Sequence, residues 1–352
     1  MRYGIVVIIL LSFACSMNKP YTFNESGLKH FPPMPSSPEN PVTVKGVELG
    51  RFLFYDPILS LDSTLSCSSC HKQKSAFSDA PVKFSSGRNG EILERNTPPL
   101  FNLAWYPALF WDGRAVSIED QVFFPVRAHR ELGLDWKLAS QRLIKSSFYR
   151  KKFNQIFPGK NIDSVLISKA IAQFERTLIS CNSKYDQVLR GEVIFSKEET
   201  EGFVIINEMV QGDCMHCHLT DANAVGTILK FSNNGLDTAT VPDSYTDKGR
   251  GALTGKPADM GVFKIPSLRN VAITPPYMHD GRFQSLKDVL NFYSSGVHSG
   301  INTDSKMEYA YKGGVHLSED QMKKVIAFLN TLTDSTLISN KKFGSPFHVK
   351  KL

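Results

Sequence analysis

No apolar run in this 352-residue chain is long enough to cross a bilayer; the stretch from Ile5 to Ala14 stops well short of the roughly twenty residues required. Charge of one sign is not in large excess either. Lys and Arg number 41 against 34 Asp and Glu, a net +7, and no basic run is dense enough to bind nucleic acid, which is not expected as a partner. Strand-period alternation is missing over any useful length, which argues against a sheet-built core. Histidine is absent from 72 to 128, and cysteine is limited to six residues. The remaining composition, 41% hydrophobic and 21% charged, is that of a soluble globular protein with enough chain for two domains.

Five of the nine residues in "GDCMHCHLT" and the residues "SCSSCHKQ" turn on one pattern. Cys-x-x-Cys-His occurs at Cys67, Cys70, His71 and again at Cys214, Cys217, His218. Composition alone would give one such pentad in roughly 0.003 of chains of this kind, so two are not accidental. A structural zinc site needs four Cys or His ligands, and a thioredoxin-like pair needs no following His. The pentad instead suits covalent haem attachment, with the two thiols adding to vinyl groups and the adjacent His ligating iron. His71 and His218 are the expected proximal ligands. His216 lies inside its pentad but off the ligand position. Cys181 is left over and reads as a buried small hydrophobe, so no internal disulfide is available in the mature chain.

"MRYGIVVIILLSFAC" has Arg2, a short apolar run and Cys15, and resembles a bacterial lipoprotein signal in which Cys15 becomes the lipidated first residue. Phe13 fits the small-residue pattern poorly, which leaves ordinary secretion open. Either route exports the protein, and c-type haems are attached outside the cytoplasm. A periplasmic protein, anchored to a membrane through lipid, is expected.

"PPLFNLAWYPALFWDGRAVSIED" (98–120) aligns without gaps to "PSLRNVAITPPYMHDGRFQSLKD" (266–288), with 10 of 23 positions identical at an offset of 168. The pentads repeat at an offset of 147, so the second copy carries 21 more residues, assigned to a loop around "NNGLDTATVPDSYTDKGRG". Ser196 with Glu199 and Ser318 with Gln321 form capping boxes ahead of helices. Apolar stripes run through Ile167, Ala170, Ile171, Phe174 and Leu178, and through Met322, Val325, Ile326 and Leu329. The expected fold is all-α, two tandem cytochrome c-like domains related by internal duplication. Their bounds are 44–190 and 191–335, after a signal (1–15) and a Pro/Ser-rich tether (16–43), with a loose polar tail (336–352).

The pentads, "ELGRFLFYD" (48–56), "RNTP" (95–98), "FWDGR" and "PSLRNVAITPPYMHDGRF" together resemble the bacterial di-haem cytochrome c peroxidase and MauG family over roughly 44–333. The resemblance implies hydrogen peroxide as substrate, reduced at the N-terminal haem with electrons passing through the C-terminal one. It implies a small cytochrome c or cupredoxin as donor, and leaves a homodimer open. Trp111 matches the tryptophan between the haems, and Gln121 and Glu131 match the distal pair. Cleaving an O–O bond heterolytically calls for a base that takes the peroxide proton and returns it to the leaving oxygen. Asn96, Thr274 and Pro276 match a calcium site made of one amide and two backbone carbonyls, hard oxygen donors suited to Ca2+. His279 stands at the repeat position of Trp111. His30, His129, His298, His316 and His348 carry no motif.

Two alternatives to the peroxidase stay open: a MauG-like oxidase acting on a protein or organic substrate, and a plain electron-transfer cytochrome. Gly212 stands where MauG has a surface tryptophan, which weighs against the first; Glu131 and Gln121 weigh against the second. Arg88 occupies the position where many family peroxidases carry a second haem-ligating His. "SLKDVLNFYSSG" reads as a helix capped by Ser285 and stopped at Gly296. Its Tyr293 matches MauG's tyrosine ligand, with Met278 as the alternative, and at the offset of 168 it falls on Pro125, which has no ligating atom. The first haem is therefore expected to be five-coordinate and the second six-coordinate.

Overall fold

Serine, threonine and aspartate caps set the helix starts in this protein, whose computed structural model describes residues 19–208, 214–218 and 225–347. The Cys15 signal, Gly212 and His348 lie outside the described residues. Thr43 caps α1 (Val44–Tyr55), and a single turn, α2 (Cys67–Cys70), carries the first pentad. Then come α3 (Ile118–Arg127), α4 (Trp136–Lys145), α5 (Ser147–Ile156), α6 (Ser164–Glu175) and α7 (Lys184–Leu189). The second half holds α8 (Lys197–Asn207), α9 (Gly251–Thr254), α10 (Leu286–Ser295), α11 (Glu319–Asn330) and α12 (Ser335–Ser339). Both expected capping boxes form, and Ser66, Ser183 and Ser285 add further ones with Ser69, Asp186 and Asp288.

The fold is mostly helical, with one departure from the all-α expectation. β1 (Phe231–Ser232) and β2 (Phe263–Lys264) pair antiparallel. Two residues per strand are too few to leave an alternation pattern in the sequence.

Each half is organised on one close helix crossing. α1 packs on α6 and α8 on α11. A Cβ at Gly50 would run into the Ala170 carbonyl, and one at Gly202 into the Lys324 carbonyl. Glycine lets the backbones touch there, and apolar stripes seal the crossing: Leu49, Leu53, Ile167 and Ile171 in the first half, Ile206, Val325 and Phe328 in the second. The core changes before α7, since Tyr185 packs with Phe195, Phe203 and Phe328. α7 is also joined to the second half by a buried ion pair, Asp186 with Arg269, bidentate at 2.5 and 2.8 Å.

The turns of the sequence repeat recur at the same offset. Asn102 and Asn270 are both left-handed, each before a 3-10 turn. The bridge Leu109–Ala115 is matched by Tyr277–Phe283, and Gly113 and Gly281 both take positive φ. Asn102 exchanges two hydrogen bonds with the Ser180 backbone, while Asn270 donates to the Ser180 hydroxyl, so both copies close on one residue.

Two segments depart from the sequence reading. The tether is not loose: residues 19–43 lie along the first half. Asn40 is buried, bonded to Glu119, Lys169 and Gln173, and Phe31 stacks beside Trp105, whose indole donates to Pro32 O. The tail is not loose either. Arg51 donates to the carbonyls of Lys341, Gly344 and Ser345, Tyr55 to Phe343 O, and Gln73 to the carbonyls of Leu337 and Asn340. Both segments dock through backbone carbonyls and a few single side chains, contacts that composition does not encode.

Candidate functional site

The first pentad is presented by the turn α2 and closed by a tight loop. His71 Nδ1 lies 2.8 Å from Phe77 O. Ala76 and Phe77 are both left-handed, at φ +50 and +61, a conformation that costs about 1–2 kcal/mol per non-glycine residue. That strained pair aims the carbonyl at the ring, and both residues are wholly buried. In the second pentad His218 Nδ1 lies 3.0 Å from Pro266 O. With Nδ1–H donated to a carbonyl, each ring keeps Nε2 as a lone-pair donor, the usual arrangement of an imidazole that ligates metal. Burial holds both histidines down to about 4, hence neutral. None of the five described cysteines forms a disulfide. Burial pushes the Cys70 thiol up to about 11 and Cys67 higher still.

Each pentad opens on its own cavity. The first, about 980 Å³, is lined by Cys70 and His71 together with Gln121, Pro125 and Glu131. The second, about 260 Å³, is lined by Cys214, Cys217 and His218 with Asn234, Met278 and Tyr293. Asn96, Pro99, Trp111 and Lys264 line both and form the wall between them. In that wall Trp111 donates from its indole to Asn96 O at 2.8 Å, Asn96 N donates to His279 O at 2.8 Å, and Lys264 N donates to Trp111 O at 2.7 Å.

In the first cavity Gln121 projects from α3 and is buried, and Glu131 lies in the turn beyond it. Burial raises the Glu131 carboxyl above the ordinary range, against an opposing pull from Arg114. Arg114 is itself tied to Asp112 at 2.8 Å, and Asp112 to Arg95 at 2.6 Å. Arg95 also holds Asp247 from the inserted loop of the second half with two bonds of 2.8 Å. His129 lies on this cavity's rim, largely exposed, with Arg88 3.3 Å from Nε2 and Glu91 3.5 Å from Nδ1. Arg88, the residue at the second-histidine position of the family resemblance, thus spends its guanidinium on His129.

In the second cavity both candidate sixth ligands meet at one amide. Asn234 Nδ2 lies 3.0 Å from the Tyr293 hydroxyl and 3.7 Å from Met278 Sδ. Burial pushes Tyr293 up to about 12, with the Asn234 bond acting in the opposite sense. His279 stacks on Phe263 with centroids 3.7 Å apart, and its Nε2 is 3.9 Å from Asp247. Asn96, Thr274 and Pro276 all border this cavity. The Asn96 amide donates to Lys83 O at 3.0 Å and the Thr274 hydroxyl to Asn270 O at 3.3 Å. Among the described residues no group of three or more His, Cys, Asp or Glu is arranged to hold a metal ion, so a cation there would rest on neutral oxygens.

Three functional candidates escaped the sequence reading. Lys264 is 7% exposed, has no ion-pair or hydrogen-bond partner for its ammonium among the described residues, and sits 4.5 Å over the Tyr106 ring; burial lowers it to about 8. Glu175 is 2% exposed and borders a small cavity beside Cys67. Asn234 comes from the inserted loop. A charged residue in a short strand or helix is ordinarily solvated, and only its buried surroundings mark it out.

The donor set fits two haems. Two neutral imidazoles and two thiol pairs face separate cavities, and Lys264 is a buried cation at their shared wall that lacks an anion. Haem propionates are the anions such a cofactor would bring. A chain built this way attaches two c-type haems. The family model for di-haem cytochrome c peroxidases matches residues 44–193. The chain is 32% identical to the methylamine utilization protein MauG of Methylophilus methylotrophus, covering 86% of this chain and 87% of the relative. It is 31% identical to cytochrome c551 peroxidase of Nitrosomonas europaea, covering 86% and 84%. A crystal structure of a MauG-like protein associated with microbial copper homeostasis superposes with a TM-score of 0.80 at 32% identity, covering 91% of this chain and 98% of that one. The protein belongs to the di-haem cytochrome c peroxidase and MauG family of oxidoreductases.

Proposed function

We propose that the protein reduces hydrogen peroxide to water at the N-terminal haem site, with electrons entering through the C-terminal haem from a small cytochrome c or a cupredoxin. The observation that carries this reading is the pairing of Glu131 and Gln121 in one buried cavity with His71, a cavity that shares the Trp111 wall with the second pentad. Bound haem supplies the redox-active iron at which the O–O bond is cleaved. Glu131 takes the proton from one peroxide oxygen and returns it to the other, and burial, which raises its carboxyl above the ordinary range, favours its holding that proton in between. Gln121 orients the peroxide. Trp111, held by Asn96, supports electron exchange across the wall, and Lys264 would neutralise a haem propionate there. Steady-state peroxide turnover with reduced cytochrome c or an azurin-like copper protein tests the reading. Absence of turnover with any such donor would count against it.

A second reading, a MauG-like oxidase of a protein or organic substrate, is favoured by the Tyr293 hydroxyl at 3.0 Å from Asn234. In this reading Tyr293 rather than Met278 would hold the second haem's iron together with His218, and a phenolate would favour the ferric state. Peroxide added to the fully oxidised protein without donor separates the two, since an oxidase of this type would then oxidise an added organic substrate.

The same proposal takes the two halves, near 44–190 and 191–335, as duplicated haem domains; the left-handed asparagines, paired bridges and glycine crossings recurring in both support it. A calcium ion held by Asn96 Oδ1 and the carbonyls of Thr274 and Pro276 would complete its shell with water, since Ca2+ takes six to eight oxygens. Periplasmic location with a lipid on Cys15, and association of two copies, belong to the proposal as well. Among the described residues no helix is long and apolar enough to cross a membrane.

A further inference from the structure

Two stretches of the chain carry basic residues and no acid. Residues 136–162, which hold all of α4 and α5, contain five Lys and two Arg without a single Asp or Glu. After Asp334 the sequence has four Lys and again no acid. Charge segregated in this way marks a surface that meets anions. The two stretches come together on α1. Arg51 holds the tail by the carbonyls of Lys341, Gly344 and Ser345, and Phe52 meets Phe148 of α5 and Phe347 of the tail edge-on, with centroids 4.9 and 5.5 Å apart.

This junction is apolar as well as basic. Phe148 and Phe347 remain 44% and 40% exposed, and Val44, two turns before Phe52 on the same side of α1, is exposed too. The Lys152 ammonium sits 4.6 Å over the Phe52 ring and 5.1 Å over that of Phe148. It also binds Glu48 at 2.9 Å, and the Tyr149 hydroxyl binds Asp56 at 2.5 Å, so the carboxylates of α1 and its C-cap are both engaged. Lys151, Lys341 and Lys342 are exposed around the phenylalanines. None of these residues lines either pentad cavity or the small cavity beside Cys67.

We propose that the face made by Val44, Phe148, Phe347, Lys151, Lys341 and Lys342 lies on the surface of an anionic phospholipid bilayer. The phenylalanines reach the acyl boundary and the lysines meet the phosphates, the division of labour of interfacial membrane surfaces. The course of the chain favours a bilayer over an acidic protein. Val44 N donates to Lys19 O at 3.0 Å, so the chain arrives at the end of this face. Only four residues separate Lys19 from Cys15, a reach of at most about 14 Å. A lipid on Cys15 would therefore hold this face, and no other, against the membrane. That orientation rests on the Cys15 reading above, whereas the composition of the face does not.

The test uses the haem-loaded full chain carrying Cys15→Ser, so that no lipid contributes, in co-sedimentation with phosphatidylcholine vesicles with and without phosphatidylglycerol. Binding should be at least tenfold tighter with phosphatidylglycerol and weaken as salt is raised. Lys151→Glu, Lys341→Glu and Lys342→Glu combined should weaken it at least tenfold, since each lysine near an anionic surface contributes about fivefold. Phe148→Ser with Phe347→Ser should weaken binding to both kinds of vesicle. Lys197→Glu, Lys256→Glu and Lys323→Glu combined make the same change of net charge in the second half and should leave binding within threefold. Hydrogen exchange of the parent protein should slow on α1, α5 and residues 341–347 when phosphatidylglycerol vesicles are added, a measurement that needs no variant to fold. No preference for phosphatidylglycerol, equal losses in the two charge variants, or protection confined to other segments overturns the proposal. So does a patch variant that binds vesicles normally but shows a raised KM for an acidic cytochrome c donor, which assigns the face to a protein partner. Absence of an acyl group from Cys15 in the native protein, read by mass spectrometry, overturns the anchor reading and not the face.

Discussion

Replacing Glu175 by glutamine should remove a pH dependence from the stability of the protein. The side chain is 2% exposed, and burial pushes its carboxyl up to about 8, against 4.5 for the free group. The folded state therefore keeps a proton that the unfolded chain releases once the pH passes about 4.5. Linkage fixes the sign: a raised carboxyl pKa contributes stability that is full below about 4.5 and is lost as pH rises towards about 8. At about 1.4 kcal/mol for each tenfold of proton affinity, the interval amounts to about 5 kcal/mol. Glutamine matches the volume and cannot ionise, so the variant lacks this slope. Urea unfolding of both haem-loaded proteins at intervals from pH 5 to pH 9, followed by circular dichroism, gives the difference directly. The variant should gain on the wild type by several kcal/mol across that range. Parallel stability curves would show that Glu175 is ionised in the fold and would refute this reasoning.

Glu131→Gln should lower peroxide turnover by about 10²–10⁴-fold, the usual worth of a positioned acid–base group, while haemochrome spectra still report two attached haems; turnover within twofold of wild type would move the acid–base role elsewhere. Tyr293→Phe should convert the second haem's low-spin electron paramagnetic signal, and Met278→Leu should leave it in place. The reverse outcome would hand the ligand role to Met278. Arg269→Met strands the Asp186 carboxylate, whose side chain is 3% exposed, and should cost about 3–5 kcal/mol in chemical denaturation. Asp186 is kept low by that guanidinium against the opposing effect of burial, so acidification should narrow the gap between variant and wild type.

What the sequence made legible was whatever local chemistry dictates. The pentads needed only spacing, the capping boxes at Ser196 and Ser318 needed only four residues each, and the 168-residue offset carried the turns of one half onto the other. The glycine crossings at Gly50 and Gly202 left no sequence mark, because a close approach depends on the partner helix. Residues 16–43 read as a tether from the prolines and serines of 29–41, yet Phe31 and Asn40 find partners more than 70 residues away. Lys264 and Glu175 were hidden for the opposite reason. Their residue types are solvated in most settings, and it takes the cavity walls to show that these two are not. Asn234 illustrates a third case: an inserted loop was visible as an insertion, but its reach to Tyr293 was not.

The docked C-terminal segment has a consequence for how the molecule comes apart. Through Arg51, Tyr55 and Gln73, residues 337–345 are fastened to α1 and to the loop just after the first pentad, so the end of the chain is buckled to its beginning. The thread leaves the first half at Ser180, passes through the second and returns, which makes a closed circuit of two halves. Opening either half must undo the buckle, and the other half then loses the carbonyls that anchor its own first helix or last turn. Heating should therefore give a single cooperative transition in which both pentads are released together, and trimming the chain after Asn330 should split that transition in two.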